Sequence, residues 1–232
     1  MSHHLMSTSF RRIAALIGAF LLLGAVSEPK WEVLFDGKGT SQWRSYRGRE
    51  FPAKGWSVDD EGLRCHSKGG GGDIVTREQY ENFELEFEWK VSAGANSGVM
   101  YRVREDKGAS YETGPEFQVL DDAQHPDGRN PKTSAGSLYA LIAANGSKEL
   151  KAVGQWNQAR IVMDGNRVEH WLNGKMVVGY EWGSPELQSM IAKSKFKDWP
   201  GFARQAAGHI CIQDHGDDVW FRNVRIRRLP TR

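Results

Sequence analysis

A chain of 232 residues has room for one sizeable β domain or two small ones, and β-sandwiches commonly reach this length as single domains. The formal net charge is only +2, and loss of the first 27 residues would leave 29 basic against 29 acidic side chains, so no basic excess exists to grip a nucleic acid. Cys65 and Cys211 either pair after export to an oxidising compartment or serve as small buried apolar residues; a single pair has no spacing that decides.

Residues 1–27 read as a secretory signal peptide. Arg11 and Arg12 precede an apolar run, Ile13 to Val26, that ends in small residues, which places cleavage after Ser27. The run is shorter than the roughly 20 residues of a membrane helix, and Glu28-Pro29-Lys30 follows at once, so no retained membrane anchor is expected. The paired arginines are followed by Ile13-Ala14, which favours the general export route, and no nearby cysteine offers a lipid attachment point. The expected product is periplasmic or extracellular.

Residues 28–232 form one domain, with no repeat or interdomain linker. In Phe83-Glu84-Leu85-Glu86-Phe87-Glu88-Trp89 apolar and acidic residues alternate strictly, the pattern of a half-buried strand. Val99–Val103, Phe117–Leu120, Arg160–Met163, Val168–Leu172, His209–Gln213 and Val219–Arg227 read the same way, separated by Gly, Asn, Asp and Pro clusters. Asn173-Gly174 and Asp164-Gly165 predict tight turns that make residues 160–178 a meander. Ser184-Pro185-Glu186 supplies a cap, a first-turn proline and an early acid for one short helix reaching about Ser194. Many short strands and one helical excursion define an all-β sandwich or barrel.

Alternation also sorts the polar side chains by face. Arg102 falls opposite the core with Met100; Glu116 and Gln118 point away from Phe117 and Val119; Gln213 and His215 follow the side of Cys211. An arginine, a carboxylate, two amides and a histidine suit a site that binds a sugar and moves protons on it, although any one of them could equally be the solvated face of a strand. Asp121, Asp122, Asp217 and Asp218 read first as turn formers, and no His/Cys spacing suggests zinc. Glu84, Glu86 and Glu88 share a face about 6.5–7 Å apart, near the roughly 5–5.5 Å that retaining glycosidases need between carboxyls; a charged outer face is the simpler account. Of the nine tryptophans, Trp31, Trp43, Trp56, Trp89, Trp171 and Trp220 sit in strand-like apolar patterns, whereas Trp182 and Trp199 flank the helical excursion and are placed to line a cleft.

Trp31-Glu32-Val33-Leu34-Phe35-Asp36-Gly37, Gly70-Gly71-Gly72-Asp73-Ile74, Asn96-Ser97-Gly98-Val99, Glu116-Phe117-Gln118-Val119-Leu120-Asp121, His170-Trp171-Leu172-Asn173-Gly174, Gln213-Asp214-His215-Gly216 and Phe221-Arg222-Asn223-Val224 together resemble, in this order, the 3-keto-disaccharide hydrolase family. The resemblance implies a concanavalin A-like jelly roll of two antiparallel sheets and cleavage of glycosides whose glucose carbon 3 carries a ketone. The ketone acidifies the proton on carbon 2, so a base can remove it, the glycosidic oxygen leaves, and water adds back. It further implies Glu116 and His215 as the proton-transfer pair, Arg102 as the clamp on the enolate, and Gln118 and Gln213 as groups orienting hydroxyls. Asp121, Tyr139 and His170 are second-tier candidates. No cofactor is required by this chemistry, though a divalent ion held by Glu116, Asp121 or His215 is compatible with it. A non-catalytic carbohydrate-binding module and a retaining glucanase-like enzyme using Glu84, Glu86 and Glu88 are the competing readings. The oligomeric state has no signature in the sequence.

Overall fold

The computed structural model describes residue 1, residues 29–106 and residues 108–231; the expected signal peptide lies almost wholly outside them. The strands in chain order are β1 (Glu32–Phe35), β2 (Trp43–Ser45), β3 (Trp56–Asp59), β4 (Gly62–Cys65), β5 (Ile74–Thr76), β6 (Phe83–Val91), β7 (Asn96–Val103), β8 (Glu116–Leu120), β9 (Asn157–Asp164), β10 (Arg167–Leu172), β11 (Lys175–Glu181), β12 (His209–Ile212) and β13 (Val219–Arg228). Among the described residues one α-helix, α1 (Pro185–Ala192), interrupts them between β11 and β12. The strands build two antiparallel sheets. The larger has the order β11-β10-β9-β6-β13-β4-β3, with β1 also paired to β13; the smaller is β2-β5-β12-β7-β8. The sandwich expected from alternation is thus the observed fold.

The inner faces meet over a core that includes Trp43, Trp89, Tyr101, Phe117 and Phe221, all fully buried. Side chains of this size each contribute about 2–3 kcal/mol through burial, and they fix the register, because a one-residue slip would turn each of them outward. Asn173 and Gly174 both adopt positive φ between β10 and β11, as a two-residue hairpin loop requires. The β9–β10 loop is Gly165-Asn166, one residue later than expected, since Asp164 pairs with Arg167. Ser184 caps α1 through its side chain, as expected, and Leu187 and Ile191 seat the helix on Leu138, Leu141 and Val178.

On the outer face of the larger sheet Glu84 is bonded to Arg160 and Arg227, Glu86 to Arg225, and Glu88 to Arg222 and Asn223. These carboxylates form a cross-strand charge ladder, each exposed pair worth about 0–1 kcal/mol, and the glucanase-like reading loses its structural basis. Trp31, Trp171 and Trp220 belong to this outer layer, stacked against arginines, and not to the core. Cys65 and Cys211 are both free and buried, on different sheets, which resolves the open question of a disulfide.

Candidate active site

The outer face of the five-stranded sheet is covered only in part, and the uncovered part is a cavity of about 350 Å³. Its floor comes from the sheet: Glu116 and Gln118 of β8, Asn96 of β7 and Gln213 just after β12. Its opposite wall is aromatic, with Phe196, Trp199 and Phe202 from the segment after α1 and Tyr111 from the β7–β8 connection. Phe196 and Phe202 stack at 4.0 Å, and Tyr111 lies 5.3 Å from Trp199, so the wall is held by its own rings. His215 and Lys195 complete the lining.

Glu116 is the chemically loaded group. It is 7 % exposed, and burial is the main cause that pushes its carboxyl up to about 8; Lys195 opposes the shift, while Asp73 and Asp127 add to it. Near neutral pH this acid therefore holds its proton. Room for it exists because residue 98 on the neighbouring strand is glycine: a Cβ there would lie 1.8 Å from Glu116 Oε1. Beside it, Tyr139 donates to Asp127 Oδ2 at 3.1 Å, and Lys195 Nζ sits 4.2 Å over the Tyr139 ring. His215 is exposed, its Nδ1 3.9 Å from Asp217 Oδ2 and its ring edge-on to His125. Asp73, whose carboxyl burial also raises, is held by the Ser110 hydroxyl and by the Asp214 amide at 2.9 Å.

Six expected site residues therefore share one cavity: Glu116, His215, Gln118, Gln213, Tyr139 and Trp199. Four do not. Arg102 is bent away by a β-bulge: two residues of β7, Tyr101 and Arg102, lie opposite the single Ile210 of β12, and Arg102 takes a φ of 52°. The bulge reverses the alternation, so Val103 joins Met100 on the outer face while Arg102 turns to the carbonyls of Glu81 and Gln205 and stacks on Trp182 at 4.6 Å. Arg102 and Trp182 line a separate hollow. His170 is in the core between the sheets, bonded to the Tyr101 hydroxyl at 2.9 Å, and burial lowers it to about 4. Asp121 is a turn residue that accepts from the amides of Gly94 and Ala123.

Lys195, Asn96, Tyr111, Phe196 and Phe202 were not legible as site residues. Asn96 had a signal, since it shares its face with Gly98 two residues on. Lys195 had none: it is an exposed lysine in a helical excursion, and only the folding of that excursion over β8 brings it to Glu116. Among the described residues no three His, Cys, Asp or Glu groups are arranged to hold a metal ion, and Asp121 in particular does not join Glu116 and His215 at the cavity.

A jelly-roll sandwich with a buried acid in a pocket of amides and aromatic rings has the architecture of a carbohydrate-active protein. Residues 30–227 match the family described as the 3-keto-alpha-glucoside-1,2-lyase-like domain, and the chain belongs to that family. It is 36% identical over 226 residues to the 3-keto-disaccharide hydrolase of Bacteroides thetaiotaomicron, covering 84% of this chain and 77% of that one. Such membership makes the chain an enzyme of the hydrolase or lyase class. The crystal structure of a candidate glycosyl hydrolase from Parabacteroides distasonis superposes with a TM-score of 0.79 at 32% identity, over 86% of this chain and 94% of that one. A Bacillus subtilis protein with a galectin-like fold shares the fold alone, with a TM-score of 0.54 at 11% identity over 88% and 96% of the two chains.

Proposed function

We propose that this protein is exported and cleaves 3-keto-glucosides, including 3-keto-disaccharides, by elimination across C1–C2 followed by addition of water. His215 removes the C2 proton, and the electron pair moves onto the C3 ketone oxygen as an enolate. The enolate then re-forms the ketone, the C1–O bond breaks, and Glu116 protonates the departing glycosidic oxygen. The second half runs in reverse: Glu116, now a carboxylate, takes a proton from water as the oxygen adds to C1, and the protonated His215, exposed and exchanging its proton with solvent in the meantime, delivers a solvent-derived proton to C2. Lys195 supplies the positive charge facing the enolate, the part first given to Arg102. Tyr139 and Trp199 hold the sugar ring.

The observation that carries this reading is Glu116, buried so that its carboxyl is pushed up to about 8, in one cavity with an exposed histidine and a lysine. The two competing readings lack such support: a binding module needs no buried acid, and the Glu84, Glu86 and Glu88 ladder is neutralised by arginines. The deciding measurement compares a 3-keto-glucoside with the unoxidised glucoside in deuterium oxide. Cleavage of the keto sugar alone, with one deuterium at C2 of the released sugar, is the expected result. Equal cleavage of both sugars, or binding without turnover, overturns it. Because a lysine provides the cation, chelation with EDTA should leave the rate unchanged, and the exported chain should begin at Glu28.

A further inference from the structure

Gln118 is 1 % exposed and forms part of the cavity floor. Its amide is fixed at one end, where Nε2 donates to Asn96 Oδ1 at 3.3 Å. The other end, Oε1, is buried with no hydrogen-bond partner. A carbonyl oxygen stripped of water and left unpaired costs about 1–3 kcal/mol, a penalty that a bound donor removes. The chemistry demanded of the ligand is specific: a hydroxyl can satisfy Oε1, whereas a ketone, having only lone pairs to offer, cannot.

Glu116 and Gln118 project to the same side of β8 two residues apart, a separation of about 6.5–7 Å along the strand. Two side chains so placed can each reach one end of a single pyranose ring, Glu116 the oxygen on C1 and Gln118 the oxygen on C4. We propose that Gln118 Oε1 accepts a hydrogen bond from the C4 hydroxyl of the ring whose C1 bond is broken, and so sets both the orientation of that ring and the requirement for a free hydroxyl at C4. This assignment rests on Glu116 acting at C1. C4 keeps its geometry throughout the reaction, unlike C2, and a rigid buried acceptor fits a hydroxyl that does not move.

The test uses methyl 3-keto-glucoside and its 4-deoxy counterpart with the wild type, Gln118→Leu and the similarly sized Gln118→Met. A site built around a hydroxyl rejects the analogue that lacks it by a large factor. The wild type is expected to lose at least about 100-fold in kcat/KM on the 4-deoxy sugar. Either variant should fall by a similar factor on the 4-hydroxyl sugar and treat the two within about threefold, while its thermal midpoint is equal to or above that of the wild type because the orphaned carbonyl is gone. Wild-type rates within threefold for both sugars, or discrimination that persists in both variants, would overturn the assignment. If neither keto sugar is turned over, the functional reading itself has failed; calorimetric binding of the unoxidised methyl glucoside and its 4-deoxy analogue then decides. A wild-type preference that vanishes in the variants upholds the role of Gln118, and equal binding or none removes it.

Discussion

Glu116 sits where a carboxylic acid is costly to ionise, and its folded value of about 8 against an ordinary 4.5 has two measurable consequences. The first concerns rate. In the proposed mechanism Glu116 works as an acid only while protonated, so kcat/KM should fall about tenfold per pH unit above roughly 8. Glu116→Gln should lower kcat about 10²–10⁴-fold and abolish that alkaline limb. The second concerns stability. Because the folded value lies above the unfolded one, the folded protein keeps a proton that the unfolded chain releases; the associated stability is complete below pH 4.5 and is lost as pH rises through about 8. Glu116→Gln should therefore be more stable than the wild type by a few kcal/mol, on the order of 1.4 per pH unit gained, when melted at pH 8 and nearly equal to it at pH 4.5. A variant that is slower yet melts higher is the signature of a group retained for chemistry and not for the fold.

Among the elements, β7 separates what alternation reveals from what it hides. β13 is also bulged, between Arg222 and Arg225, and there the apolar series slips visibly from Phe221 to Val224 and Ile226. In β7 the bulge leaves no trace, because Val103 is apolar and suits either face. Alternation therefore places Arg102 on the wrong surface, whereas Glu116, Gln118, Gln213 and His215, on unbulged runs, lie on the cavity side that alternation predicts. The close approach that accommodates the bulge is on β12's side: a Cβ on Gly208 would lie 2.3 Å from the carbonyl carbon of Arg102. Arg102→Ala should cost about 1–3 kcal/mol through the lost stack on Trp182 and the carbonyl bonds, measured by chemical denaturation, while kcat and KM change less than threefold. Lys195→Met should do the opposite, lowering kcat at least tenfold with an unchanged unfolding midpoint. Equal kinetic defects in both would return the cationic role to the bulge.

At the scale of the whole molecule, the sheets were legible and their polar interior was not. Period-2 alternation reports which residues face inward only when they are apolar, so His170, in the sequence run His170-Trp171-Leu172, looked like a ligand contact. It is instead a core residue joined to Tyr101, whose hydroxyl also meets the Tyr180 hydroxyl at 2.7 Å. Burial depresses its value to about 4 from 6.5, so the neutral ring contributes stability that is complete above pH 6.5 and is lost as pH falls through about 4. The loss amounts to about 3 kcal/mol, and NMR of the imidazole in the wild type should show His170 uncharged at pH 5.5. Protonation of His170 at pH 6 or above would contradict its place between the sheets.

The two halves of the cavity arrive by different routes along the chain. Glu116, Gln118, Asn96 and Gln213 are fixed by inter-strand pairing across three strands, whereas Lys195, Phe196, Trp199 and Phe202 come from one uninterrupted stretch joining β11 to β12. That stretch rests on its own cluster of apolar contacts. It behaves as a cassette: substitutions confined to residues 184–206, Lys195 apart, can reshape the aromatic wall of the cavity while the acid and its neighbouring amides stay in register.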